Sequence, residues 1–169
     1  MTPAQFNQYA QQGYNRIPVS REVLADLDTP LSAYLKLADG PYSYLFESVH
    51  GGEQWGRYSI IGLPCKTRIK INGYTIQVEK DGCVTESFEH AKPLEWIEEF
   101  RLQYRVPDIA GLPRFNGGLV GYFGYETIAY IEPKLQFSDK PDPIGTPDIL
   151  LMVSEDLLIF DNLSGKCCC

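Results

Sequence analysis

The chain has 169 residues, 44% of them hydrophobic and 22% charged, enough apolar material for a buried core and too much for a wholly disordered protein. A formal charge of −7, with the 15 Lys and Arg scattered, excludes a nucleic-acid partner, because phosphate binding needs clustered cations. No apolar run approaches the roughly 18 residues that span a bilayer, so no membrane partner is expected.

The opening MTPAQFNQYAQQGYNR lacks a basic segment followed by an apolar one, so it does not read as a secretory signal, and a cytoplasmic location is expected. Thr2-Pro3 signals a helix start, with Phe6, Tyr9 and Ala10 on one face and Gly13 as the stop. Ile17-Pro18-Val19 opens an extended stretch toward Leu24. Thr29-Pro30 repeats the start signal, with Leu31, Tyr34, Leu35 and Ala38 forming the inward stripe and Gly40 ending it.

Strand patterns follow. Residues 42–49 and 57–63 are rich in aromatic and β-branched side chains. Residues 66–71 and 74–79 flank Asn72-Gly73, and Asp81-Gly82 precedes a further strand at 83–88, which predicts an antiparallel meander with Ile69 and Ile71 inward and Arg68 and Lys70 outward. Pro93 starts a helix whose Leu94, Ile97, Phe100 and Tyr104 keep helical spacing. A loop at 107–115, a buried strand at 117–123, a helical turn at 125–131, a surface loop at 134–146 and strands at 148–154 and 156–162 complete the pattern. The class is α+β: mostly antiparallel β-sheet with short flanking helices.

Of the five cysteines, Cys65 and Cys83 are isolated and Cys167, Cys168 and Cys169 are consecutive. This is neither a spread disulfide framework nor a paired metal-ligand spacing, and residues 167–169 read as an aberrant tail. The glycines at 118, 121 and 124 match neither a phosphate loop nor a dinucleotide fingerprint and suit close backbone packing. His50, His90, Ser48, Ser59 and Ser154 stand in no catalytic context, so no catalytic and no metal residue is assigned. One ligand edge stands out. Glu47 and Ser48 close an apolar strand, where a carboxylate and a hydroxyl suit the ammonium and polar groups of a small amino acid. Successive strand side chains point to opposite faces, so the two serve one ligand only if the strand ends or bulges there. Arg57 can pair with Glu47 or with a ligand carboxylate, Tyr58 adjoins it, and Trp55 can supply an apolar wall. A plain surface strand end with a solubilising arginine fits the same residues.

These segments, in this order, resemble one family. Residues 17–37, Leu45-Phe46-Glu47-Ser48-Val49, Trp55-Gly56-Arg57-Tyr58-Ser59-Ile60-Ile61-Gly62 and residues 117–125 look like the amino-terminal part of anthranilate synthase component I, among the chorismate-utilising enzymes, with likeness to about Lys166. Ala129 departs from it, where an arginine is common. The resemblance implies an incomplete anthranilate-synthase-like fold: residues 1–166 as a regulatory domain, without the catalytic chorismate-binding domain. It implies tryptophan biosynthesis, in which the whole enzyme, a lyase, makes anthranilate and pyruvate from chorismate and glutamine-derived ammonia with Mg²⁺ and a glutamine amidotransferase subunit. It places Glu47 and Ser48, with Arg57 and Tyr58 beside them, in the site for L-tryptophan as feedback effector. The magnesium and chorismate residues belong to the absent portion, so this chain alone is expected to be inactive and to bind no Mg²⁺. The alternatives are a fragment of aminodeoxychorismate synthase component I, on the folate pathway, or a non-catalytic amino-acid-binding module.

Overall fold

The computed structural model describes residues 1–25, 27–47, 57–132, 134–135, 142–162 and 166–169. In chain order the elements are α1 (Pro3–Gln11), β1 (Glu22–Leu24), α2 (Pro30–Leu37), β2 (Tyr44–Glu47), β3 (Tyr58–Gly62), β4 (Thr67–Asn72), β5 (Thr75–Lys80), β6 (Cys83–Glu89), α3 (Pro93–Leu102), β7 (Gly118–Phe123), a 3-10 turn (Tyr125–Tyr130), β8 (Ile149–Ser154), β9 (Leu157–Asp161) and β10 (Lys166–Cys168). The α+β expectation holds: two five-stranded antiparallel sheets carry a few short helices. The chain divides into two compact units.

The first unit comprises Met1–Cys65, Tyr104–Gly118 and Ser154–Cys169. Its sheet runs in the order β1-β10-β9-β3-β2. Ile61, Leu158, Phe160 and Cys167 occupy one face of the sheet and bury with Ala33 and Ala38 of the α2 segment. Both α1 and α2 start as expected. Thr2 and Thr29 each accept a backbone N–H three residues on, with proline in the first turn. The inward stripes differ from expectation. No residue of α1 is buried. In α2, Leu31 and Leu35 are more than half exposed, while Ala33 and Tyr34 meet the core. Two alanines let the short helix lie close to the sheet, which turns the leucines outward. Lys166–Cys168 forms β10, pairing with β1 on one side and β9 on the other.

The second unit comprises Lys66–Gln103 and Leu119–Val153. Its sheet runs β6-β5-β4-β8-β7. Ile69, Ile71, Ile76, Ile149 and Leu151 line one face and bury under Ile97 of α3, with Leu94, Trp96 and Phe100 around them. The Asp81-Gly82 hairpin has positive φ at both residues, as a tight primed turn requires. The other hairpin is shifted by one residue from expectation. Asn72 still pairs with Thr75, so the loop is Gly73-Tyr74, and Gly73 donates its N–H to the Asp148 carboxylate at 2.7 Å. Arg68 also departs from its outward assignment. It is 9% exposed and donates to Glu79, its direct cross-strand partner, at 2.9 Å, while Lys70 holds the other Glu79 oxygen at 2.7 Å. Residues 117–123 were expected as a buried strand, but β7 is the last strand of its sheet and only Val120 in it is buried. A glycine-laced apolar run reads alike in a centre strand and at an edge. Among the described residues no helix is long and apolar enough to cross a membrane.

Candidate functional site

The ligand edge predicted from sequence falls on β2 and β3 in the first unit. Glu47 is the final described residue of β2, an edge strand of the sheet, and lies opposite Ser59 of β3 with its side chain exposed. Ser48, His50 and Trp55 lie outside the described residues. Tyr58 pairs with Asp161 and sits one residue along from Ser59, so strand alternation directs Tyr58 and Glu47 to opposite faces of the sheet. The four candidate residues therefore do not converge as a set.

Arg57 has a partner, and it is Asp161. The Arg57 Nε–H reaches both Asp161 carboxylate oxygens, at 3.0 and 3.1 Å, and Nη2 donates to Oδ2, a fork-like charge-assisted arrangement. Asp161 raises the pKa of the guanidinium further above its ordinary value. The guanidinium carbon also stands 5.0 Å from the centre of the Tyr58 ring. Together these residues edge a hollow of about 300 Å³, a volume at the small end for ligand sites. Glu22, Lys166, Leu112 and Ile159 line it as well. Lys166 and Glu22 form a second ion pair across β10 and β1 at 3.1 Å. The hollow thus offers two cations and two anions, each matched, beside one aromatic ring.

Sequence reading missed Asp161, Glu22 and Lys166. Their only signal is alternation: Asp161 and Ile159 share a face of β9 with Tyr58 opposite, and the register that brings in β10 and β1 is a long-range pairing. Two serines outside any catalytic motif are structural. Ser59 is 2% exposed and accepts from the Asn162 side-chain amide at 3.1 Å. Ser154 is 4% exposed, and its hydroxyl lies 2.7 Å from that of Tyr44, whose pKa burial pushes up. Gly121 serves packing: a Cβ there would lie 1.9 Å from the Leu150 carbonyl oxygen. Among the described residues no three His, Cys, Asp or Glu side chains gather as a metal would require.

No protein-family profile matches the chain. Anthranilate synthase component 1 of Pseudomonas aeruginosa is 58% identical to it over 166 residues, 98% of this chain and 34% of that protein. The chain belongs to the anthranilate synthase component I family. The component 1 of Neisseria meningitidis is 55% identical over 165 residues, and that of Aquifex aeolicus 42% identical over 157. The crystal structure of anthranilate synthase component I from Streptococcus pneumoniae superposes with a TM-score of 0.50 at 27% identity, covering 86% of this chain and 30% of that one. The chain spans about a third of the length of the component I relatives it matches.

Proposed function

We propose that this chain is the regulatory amino-terminal portion of anthranilate synthase component I and carries part of its L-tryptophan feedback site. The observation that carries the reading is 58% identity across 98% of the chain to a protein of that name. The site's place follows from chemistry. Glu47 ends an edge strand with its carboxylate exposed, the partner that an amino-acid ammonium needs once water is displaced. Ser48 follows it in sequence and supplies a hydroxyl. Tyr58 opens the next strand with Arg57 just before it, but Asp161 already holds Arg57 and alternation turns Tyr58 to the other face, so Glu47 and Ser48 carry the proposed contacts. The reaction belongs to the whole enzyme: chorismate and ammonia to anthranilate and pyruvate, with Mg²⁺, beside a glutamine amidotransferase subunit. This chain contributes the brake and no reacting group, and its place of action is the cytoplasm.

The test joins residues 1–162 to the remaining two thirds of the Pseudomonas aeruginosa protein and assays anthranilate formation with and without L-tryptophan. Inhibition is expected in the chimera and is weakened at least tenfold by Ser48→Ala or Glu47→Gln, with the uninhibited rate preserved. An inhibition curve identical in both variants would overturn the site. Anthranilate formation by the purified 169-residue chain, supplied with chorismate, ammonia and Mg²⁺, would overturn its non-catalytic role.

A further inference from the structure

Gly73 sits where two tight turns overlap. In the observed hairpin Asn72 pairs with Thr75, so Gly73 and Tyr74 form the loop. Gly73 has φ +52 and Tyr74 is not in the positive region, the pattern of a two-residue loop with glycine first. The same sequence also offers Asn72-Gly73 as the loop, with positive φ at both residues, and Asn-Gly is the strongest short hairpin signal. That choice pairs Ile71 with Tyr74 and moves β5 two residues along β4, a displacement of about 7 Å. Strand side chains alternate with a period of two. A two-residue slip, unlike a slip of one, therefore keeps the same residues inward.

Both registers suit the side chains. As observed, Ile69 lies opposite Val78 and Ile71 opposite Ile76. After the slip Ile69 lies opposite Ile76, Ile71 opposite Tyr74 and Thr67 opposite Val78. On the other face Lys66, Arg68 and Lys70 recur at the same period of two. Glu79 now stands directly opposite Arg68 and also holds Lys70, its diagonal neighbour. After the slip it stands opposite Lys66 with Arg68 diagonal, so the carboxylate steps from one pair of cations to the next. β6 travels with β5, because the ladder between them is untouched. Residues 90–92 link β6 to α3, and three residues reach about 10 Å, enough to absorb the shift.

The contacts that separate the two registers gather on the loop. The Gly73 N–H donates to the Asp148 carboxylate at 2.7 Å, and the Gly73 carbonyl accepts from the Tyr130 hydroxyl. The rings of Tyr74 and Tyr130 meet edge to face, 6.0 Å between centroids. Burial, with the Asp148 carboxylate close by, pushes the Tyr130 hydroxyl above its ordinary value of 10.0, so it stays a donor. In the slipped loop the chain has turned back by Gly73 and Tyr74 has joined the ladder, so these contacts belong to the observed register. We propose that Asp148 and Tyr130 latch the β4–β5 hairpin in one of two registers open to it, and that loosening the latch lets β5 and β6 slip two residues along β4. Tyr130 ends the 3-10 turn that follows β7, so the position of that turn and the register of the hairpin are coupled.

Cross-strand Hα–Hα contacts, read by NMR on the purified 169-residue chain, report the register. The pair closing a two-residue hairpin is hydrogen-bonded, and the close Hα–Hα approaches fall at the alternate, non-hydrogen-bonded pairs. These are Ile71–Ile76 and Ile69–Val78 in the latched register, and Lys70–Thr75 and Arg68–Gln77 in the slipped one. The wild-type chain is expected to show the first set alone. Asp148→Ala combined with Tyr130→Phe removes both hydrogen bonds to Gly73. Each is worth up to about tenfold in the ratio of registers, so the slipped share should rise by up to roughly a hundredfold and the second set emerge. Tyr130→Phe alone should give a smaller rise in the same direction. Adding Asn72→Val, a β-branched residue that disfavours positive φ, should suppress the second set again, which general loosening of the fold would not do. A double variant that keeps the first set alone, or loses it without gaining the second, overturns the inference. So does a second set indifferent to Asn72→Val.

Discussion

Arg68 and Glu79 face one another directly across the β4–β5 ladder, and Glu79 holds Lys70 with its second oxygen. One carboxylate, 8% exposed, thereby answers two cations on a sheet face whose other side is isoleucine. Buried charge is tolerated only when paired, so all three groups depend on that carboxylate being ionised.

The pH dependence of stability follows from this. Lys70, through its hydrogen bond, and then Arg68 hold the Glu79 carboxyl below its ordinary value of 4.5. A depressed folded-state pKa contributes stability that is complete above the unfolded value and disappears as pH falls through the folded one. The melting temperature should therefore drop in acid, below about pH 4.5. Glu79→Gln should cost about 1–3 kcal/mol at neutral pH and flatten the acid limb, read by urea titration at a series of pH values. An unchanged acid limb in the variant would place that dependence on other carboxylates.

The rotation of α2 predicts a contrast between two aliphatic truncations. Ile149 is fully buried, so Ile149→Ala should cost about 2–5 kcal/mol. Leu31 is 53% exposed, and Leu31→Ala should stay within about 0.5 kcal/mol, whereas a helix buried on its leucine stripe would lose several times that. Denaturant midpoints measured on both variants decide between these orientations.

Gly121→Ala should be among the costly single changes in the second unit. The added methyl would sit 1.9 Å from the Leu150 carbonyl oxygen, and what it meets is backbone, so β7 must move away from β8. About 3 kcal/mol is expected. Thermal melts give the loss, and exchange of the β7 amides shows whether that strand has lifted.

Thiol labelling should follow burial. Cys167 is 2% exposed, and burial, reinforced by the neighbouring Cys169 and Cys168, pushes its thiol up to about 11. Cys83 and Cys169 are exposed. With iodoacetamide at mildly alkaline pH, mass mapping should find Cys83 and Cys169 modified first and Cys167 protected until the chain is unfolded. Early modification of Cys167 would mean that β10 leaves the sheet readily.

Local signals carried through to the structure where the physics is local. Thr-Pro capping boxes, the Asp81-Gly82 turn and the isoleucine alternation of β4 each rest on a few neighbouring residues, and each was legible. Partners distant in sequence were not. Arg68 reads as a solvent-facing cation until the opposing strand is known to supply Glu79, and Arg57 reads as a partner for Glu47 or for a ligand carboxylate until register brings Asp161 alongside. The Gly73-Tyr74 loop moved by one residue because Asp148, from another part of the chain, captures the Gly73 N–H. Of the candidate site, Glu47, Arg57 and Tyr58 were legible as residues, whereas the hollow beside Arg57 and Tyr58 was not, because β1, β9 and β10 build it by long-range pairing.

The β1–β10 ladder has a cost in time. Lys166 and Glu22 are 144 residues apart, and among the described residues β1 has no other strand to pair with. At roughly 5–20 residues per second, a ribosome needs on the order of ten seconds between making one and making the other. Through that interval the early strand waits unpaired, exposed to chaperones and proteases, so survival of the nascent chain depends on how quickly the residues of β10 reach their slot.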